Sequence, residues 1–431
     1  MRHDLEQRLI ATKKPYSIYA EVLEDSAVEQ FAECMEEEHV TQGFLAPDAH
    51  QGYVAPIGSV LKVKDHIYPS FVGYDIGCGM SECMLDIKTE SINPAQWIAI
   101  KESILSKVPI GFKRQNRSQP VQRAVTDMPM TEFARGMLED QGSTQIGTLG
   151  GGNHFLEVGK SNDGNISIVI HSGSRGVGYN IAEHHMRQCA IFNTDESRYK
   201  AEFNEKNSAW FASVNKLTGT KLKAGLIKYT EAKGEFVYRR VRARVDNIEG
   251  YYAFPTNSKD GQDYINDMNM ALEFALANRK AMIDQVIKAI SGVLSIKPKE
   301  LRFINKNHNH AELVYGHWIH RKGATQALKG MLGVIPGNMV DGSFIVEGLG
   351  SKDSMDSSSH GAGRVLSRRK AKEQLDLEEF RDVTKHLVSN HSDSNLDEAP
   401  LAYKSIFEVM ELQKDLVKVL DRTIPIINIK G

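Results

Sequence analysis

The nine residues Val72 to Met80 (Val-Gly-Tyr-Asp-Ile-Gly-Cys-Gly-Met) restrict the shape of this chain more than any other stretch. Glycines at 73, 77 and 79 admit backbone angles closed to other residues and let neighbouring groups come close. The run therefore reads as one tight turn, from which Asp75 and Cys78 can point inward together. A thiolate beside a carboxylate is costly to bury unless a cation neutralises both, which points to a metal. Taken alone, the run fits equally well a buried structural cysteine beside a capping aspartate.

Short motifs further along carry related chemistry. Gly150-Gly151-Gly152-Asn153-His154-Phe155-Leu156-Glu157 is followed by Ile170-His171-Ser172-Gly173-Ser174-Arg175-Gly176. Then come Asn307-His308-Asn309-His310, Pro336-Gly337-Asn338-Met339 and Ser359-His360-Gly361-Ala362-Gly363-Arg364. Neutral imidazole is a common ligand for first-row metals, and glycine N–H groups can cradle phosphate. A single such histidine is more often an ordinary core or surface residue. Several in this company, with Asp75 and Cys78, favour a metal and phosphate site.

These residues resemble, in order, the motifs of the RtcB-type RNA-splicing ligases. The likeness runs from Pro47-Asp48-Ala49-His50-Gln51-Gly52 to the terminal Ile429-Lys430-Gly431. It implies an α+β fold, with mixed β-sheets around a central dinuclear metal site and helices outside, in a single catalytic domain over residues 1–431. The family's metal is manganese, two ions. By position, Asp75, Cys78 and His154 would hold one, and Cys78, His171 and His308 the other. Ligand chemistry alone does not choose the metal, since thiolate and imidazole also suit zinc.

The same resemblance makes His360 the nucleophile that attacks the α-phosphate of GTP and carries a guanylyl group. Its nucleotide pocket would draw on Asn153, His154, Phe155, Leu156, Glu157, His308, Asn309, Pro336, Gly337, Asn338, Met339, Ser343, His360, Gly361, Ala362, Gly363 and Lys430. Glu157 would accept from the guanine N1–H and N2 amine, and Lys430 would donate to O6. The implied reaction joins RNA 2′,3′-cyclic phosphate or 3′-phosphate ends to 5′-hydroxyl ends through an RNA-ppG intermediate, in RNA repair or tRNA splicing. Arg175 would either stabilise transition-state charge, grip the RNA phosphate or brace its own loop. An archease-type activator is a possible partner. Two positions depart from the usual pattern: Asn338 replaces a small hydroxyl residue, and His310 an apolar or aromatic one.

Rival readings are weaker. No Lys-x-Asp-Gly nucleophile motif of a nucleotidyl-lysine ligase occurs, and Gly152 lies too far from Gly159-Lys160-Ser161 for a P-loop. A dinuclear phosphoesterase or cyclic phosphodiesterase, using the same ligands without nucleotidyl transfer, is the main alternative. A non-catalytic RNA-binding module would not need this ligand set.

Four cysteines in 431 residues, Cys34, Cys78, Cys83 and Cys189, do not suggest a disulfide framework but a reducing, cytoplasmic compartment. No apolar stretch approaches the roughly 20 residues of a membrane span, and the N-terminus lacks a signal-peptide pattern. A net charge of −2 carries no global nucleic-acid signature, so RNA must use a local patch. Lys221 to Val245, inside a region of about 189–250 that matches the family weakly, interleaves Tyr229, Phe236 and Tyr238 with lysines and arginines. That pattern fits an RNA-contacting surface or a solvated β-hairpin.

Local pattern places helices at Ser26 to Glu38 and Asp263 to Ile290, the latter with a core stripe of Met268, Phe274 and Met282. Asn278-Arg279 within it either faces the site or is structural. Phe44 to Met84 reads as strands joined by tight turns carrying Asp48, His50, Asp75 and Cys78. Ile166 to Ile170 reads as a buried strand after the Asn162-Asp163-Gly164-Asn165 turn, with His171 at its end and Arg175 in the following loop.

Overall fold

A computed structural model describes residues 2–193, 248–389 and 393–431. The basic stretch Lys221 to Val245 lies outside the described residues. Around the site stand two mixed sheets with helices packed outside them. One has five strands, in the order Tyr16–Ile18, Val40–His50, Ile57–Lys64, His317–Lys322, Asn309–Val314. Its first pair is parallel and the rest are antiparallel.

The larger sheet has eight strands. Seven run antiparallel in the order Leu332–Pro336, Ser343–Gly348, Val417–Lys430, Phe155–Lys160, Asn165–Ser172, Gly79–Lys88, Glu300–Asn307. Val388–Ser389 adds a parallel partner to Val417–Lys430.

The Asn165–Ser172 strand shows why the sheet presents a site on one face. All eight of its residues are buried, and side chains alternate between faces. Ile166, Ile168 and Ile170 enter an apolar layer with Trp97, Ile100, Met282, Ile283 and Val286. Val169 points the other way, among Met80, Phe155, Ile304, Val334 and Ile345. Two residues on, His171 shares that second face. The same period splits the neighbouring strands: Leu156 and Val158 join the first layer, while Phe155 joins the second. Burying each such isoleucine contributes about 1.5–3 kcal/mol, so the apolar residues lock the register that aims the polar ones.

Covering the first layer is a helix from Lys259 to Leu294, longer at both ends than the sequence pattern indicates. Ser258 caps it by accepting from the Gly261 N–H at 3.0 Å, and it stops at Ser295 in the left-handed conformation. Met268, Phe274 and Met282 are fully buried, as their spacing indicates. The Asp25–Glu36 helix ends two residues earlier than its glutamates suggest, because Glu37 turns to extended backbone (ψ 132°).

Three further features differ from the sequence pattern. Asp48 and His50 lie within the end of a strand, not in a turn. The short helix Pro69–Val72 precedes the glycine-rich run. Arg175 is not in a loop but opens a helix to Phe192, with φ +58°. Its preceding residue, Ser174, donates its hydroxyl to the Ile76 carbonyl instead of capping the helix.

Candidate metal centre and adjoining pocket

The glycine-rich run folds as its composition requires, with positive φ at Gly73 (+87°) and Gly77 (+73°). The turn closes where the Cys78 N–H donates to the Asp75 carbonyl at 3.1 Å. Asn309 holds it from one side: its side-chain amide donates to the Asp75 carbonyl (3.1 Å), and its backbone carbonyl accepts from the Gly77 N–H (2.9 Å). The His308 N–H donates to the Cys78 carbonyl at 2.7 Å, so the motif carrying His308 is tied directly to the motif carrying Cys78.

Five side chains converge there as two overlapping groups of possible metal ligands, Cys78, His171, His308 and Asp75, Cys78, His154. Cys78 Sγ lies 3.1 Å from His171 Nε2 and 3.5 Å from His154 Nε2. His171 Nε2 is 3.3 Å from His308 Nε2, and His154 Nε2 is 3.1 Å from Asp75 Oδ2. Such separations match donors gathered around an ion at about 2.0–2.3 Å from each.

Protonation supports the same use. His171 Nδ1 faces the Asn153 carbonyl at 3.2 Å; a carbonyl only accepts, so Nδ1 carries the hydrogen and Nε2 offers its lone pair. Burial holds His171 and His308 well below the usual imidazole range, the latter helped by the charge of His360. Both are thus neutral, the form that binds metal. Burial, then the Asp75 charge, pushes the Cys78 thiol well up. Burial also raises Asp75, but the His154 hydrogen bond and charge outweigh it and bring the carboxyl to about 2. Cys78, three imidazoles and a carboxylate within contact of one another form a donor set typical of a first-row metal site, and a cation there would take the place of the thiol proton.

Behind the cluster sits Arg279, fully buried on the long helix. It donates to the Gly77 carbonyl and the Ser172 carbonyl, both at 2.9 Å, and to the side chains of Asn305 (2.8 Å) and Asn307 (2.7 Å). One guanidinium therefore ties the Cys78 turn to the end of the His171 strand. Burial lowers Arg279 to about 10, with Cys78 and Asp75 as the opposing negative groups. Asn278 next to it joins the Thr148 and Gly173 backbone. Sequence reading left this pair open between two roles; here both residues brace the site from behind.

A cavity of about 1000 Å³ opens from the cluster. His360 enters it with its ring centre 4.8 Å from that of His308. Asp48, fully buried, positions it: Oδ2 accepts from the His360 and Gly361 N–H groups, each at 3.2 Å, and lies 2.7 Å from His360 Nδ1. That last pair is close, although the ring N–H is not aligned along it. Gly363 (φ +73°) packs so tightly that a Cβ there would sit 2.2 Å from the Asp48 carbonyl. Burial pushes the Asp48 carboxyl up, but the charge of His360 and the contact with it more than offset this and hold it below its usual range. The Asp48 motif is visible in the sequence; its partnership with His360, 312 residues away, is not.

Among the residues expected in a nucleotide pocket, Asn153, Phe155, Glu157, His308, Asn309, Pro336, Gly337, Asn338, Met339, Ser343, His360, Gly361, Ala362, Gly363 and Lys430 all line this cavity. His154 belongs to the ligand cluster. Leu156 does not face the cavity: period-two alternation sends its side chain into the apolar layer behind the sheet. Asn338 caps its own turn, accepting from the Val340 and Asp341 N–H groups at 2.9 Å. His310 turns away from the cluster towards Arg321, which also pairs with Glu312.

Glu157 is buried, with Oε1 accepting from Asn428 at 2.6 Å and Oε2 without a partner among the described residues. Burial raises its carboxyl to about 7 despite the nearby Lys430. Lys430 lies 3.2 Å from Glu398 and 5.0 Å from the centre of the Phe155 ring. The Ser343 hydroxyl, also buried, has no partner among the described residues. These orphaned acceptors mark where a ligand's donors would bind.

Comparison with known proteins identifies the family. A family model described as tRNA-splicing ligase RtcB matches residues 30–141 and 130–431. The RNA-splicing ligase RtcB of Escherichia coli (strain K12) is 31% identical over 413 residues, covering 90% of this chain and 89% of that protein. The tRNA-splicing ligase RtcB of Nanoarchaeum equitans is 26% identical over 467 residues, covering 90% and 87%. The chain belongs to the RtcB family.

Proposed function

We propose, with that membership as the premise, that this chain is a GTP- and manganese-dependent RNA ligase. It would join 2′,3′-cyclic phosphate or 3′-phosphate ends to 5′-hydroxyl ends, in RNA repair or tRNA splicing. One observation carries the reading: His360, held by a buried carboxylate, stands in the same cavity as a five-residue ligand cluster. A histidine anchored beside two cation sites suits phosphoryl transfer through a covalent intermediate, because a protein nucleophile divides a difficult exchange into two easier steps.

Once the ring turns its Nδ1–H onto the nearby carboxylate, Asp48 would hold that proton, leaving Nε2 to attack the α-phosphate of GTP. The N–P bond forms as pyrophosphate leaves, and Asp48 offsets the positive charge growing on the ring. Glu157 Oε2, unpaired and buried, would accept from guanine N1–H and the N2 amine, with Lys430 near O6. Adenine lacks those donors, so the pocket would favour guanine. Asp75, Cys78 and His154 would hold one manganese ion, and Cys78, His171 and His308 the other. Bound there, the ions would neutralise charge on entering and departing phosphate oxygens.

Water first opens a cyclic end to the 3′-phosphate. GMP then passes from His360 to that phosphate, forming RNA-ppG and freeing the imidazole. Finally the 5′-hydroxyl oxygen attacks the 3′-phosphate, its proton is lost, and GMP departs as the phosphodiester forms. Arg175 would add positive charge near Asp75, consistent with its electrostatic effect on that carboxylate. We place the enzyme, as one catalytic domain, in the cytoplasm; the four free, buried cysteines suit a reducing compartment. Among the described residues no helix is long and apolar enough to cross a membrane.

The test is incubation with α-labelled GTP and manganese, comparing the parent with His360→Ala. Acid-labile label on the parent alone is expected. No label on folded, metal-loaded parent, even with an archease-type activator, would replace this reading with a dinuclear phosphoesterase.

A further inference from the structure

Two tyrosines of the cavity wall and a third stacked behind them form a ladder that starts beside the metal cluster. Tyr74 directly precedes the ligand Asp75, and Tyr53 and Tyr74 both line the cavity. The Tyr74 ring stacks on Tyr179, with centres 5.2 Å apart and planes 19° from parallel. Tyr53 meets Tyr74 edge-on at 5.6 Å and 86°. The Tyr74 hydroxyl donates to Glu249 at 2.6 Å, which pins the middle ring. Tyr53 and Tyr179, the outer rings, are 71% and 49% exposed. Tyr179 stands one helical turn beyond Arg175, on the same helix face.

Tyr53 is exposed on the cavity wall, and Tyr179, stacked on Tyr74, extends the aromatic surface outward from it. We propose that this ladder is a stacking platform for unpaired RNA nucleobases next to the reacting end. The inference rests on the ligase reading above. Every base has a π-face, so aromatic side chains hold single strands without selecting sequence. An end that must place its terminal phosphate over buried ligands must also leave the duplex, and open aromatic faces at the exit compensate for lost base stacking. The ladder starts at the residue next to a metal ligand, so it is continuous with the site where that phosphate would sit. Glu24, Ser26 and Gln51, which line the same cavity, are polar, as a hydrated single strand next to the rings requires.

The experiment uses the full chain loaded with manganese and a single-stranded ribo-oligonucleotide bearing 2-aminopurine at its terminal position. Separate probes carry the 3′-phosphate and the 5′-hydroxyl. Binding to the parent is expected to quench the fluorescence of at least one probe. Tyr53→Leu and Tyr179→Leu are expected to lose quenching and bind that probe about fivefold to a hundredfold more weakly, whereas Tyr53→Phe and Tyr179→Phe retain both. Because the outer rings are exposed, the leucine variants should melt as the parent does. Parent-like quenching and affinity in both leucine variants would overturn the platform, as would a parent that binds neither probe. A parent that binds and quenches but takes no label from GTP would leave the platform standing and remove the ligase reading instead.

Discussion

Replacing Asp48 with asparagine separates the charge of this residue from its shape. Oδ2 accepts two backbone N–H groups at 3.2 Å, so the asparagine oxygen must take that position and the amide nitrogen must fall where Oδ1 now lies. Oδ1 has no partner among the described residues, so no hydrogen bond of the parent is broken. What disappears is the negative charge 2.7 Å from His360 Nδ1. The ring N–H is not aligned with Oδ2 in the resting protein, but it can turn onto the carboxylate as the ring becomes charged; a charge-assisted bond exceeds a neutral one by roughly 1–2 kcal/mol. If that difference is felt mainly as positive charge grows on the attacking ring, guanylylation should slow by about fivefold to thirtyfold. Single-turnover transfer of label from α-labelled GTP to the protein measures it, with His360→Ala as the zero. A rate within twofold of the parent would refute the argument. So would a loss as complete as that of His360→Ala in a folded protein, because a positioning carboxylate cannot be worth as much as the nucleophile.

Three more outcomes follow from the geometry. Arg279→Lys keeps a charge but not the fork that reaches four acceptors; three ammonium donors leave at least one acceptor unpaired, so it should lose about 1–3 kcal/mol or more of stability in denaturant unfolding. A change below 0.5 kcal/mol would count against the brace. Cys78→Ser should abolish the sulfur-to-metal charge-transfer absorption of a cobalt-substituted protein, whereas Cys83→Ser, remote from the ligand groups, should leave it intact. For Glu157, burial raises the carboxyl to about 7 in the free protein. Below that pH the folded protein binds the proton, so the group's contribution to stability declines as pH rises from the ordinary carboxylate range through 7. Guanine donors need the ionised form; GTP affinity should therefore rise by up to tenfold per pH unit towards about 7 and then level off. Proton release measured calorimetrically in two buffers checks this, and Glu157→Gln should flatten the profile.

Much of this protein is written locally. Gly73 and Gly77 take the positive φ values that their run demands, since a turn is decided by the residues inside it. Ile166 to Ile170 forms a buried strand because β-branching and alternation act over a few residues. The methionine and phenylalanine stripe of the long helix is core for the same reason. The ordered motifs also carried the family likeness, because a likeness of short motifs is read from the order of residue types alone. Other properties depended on groups brought together from far along the chain. Leu156 sits inside a ligand motif yet faces the apolar layer, since only the sheet decides which face is solvent and which is core. Arg175 opens a helix whose preceding residue, Ser174, bonds to Ile76, 98 residues away in sequence, a partner no local pattern names. Asp48 and His360, Arg279 and the Cys78 turn, and the tyrosine ladder are likewise long-range pairings. Hydrogen bonding and ring contact act over a few ångströms, so a local pattern names the groups able to make them, and only the packed chain selects their partners.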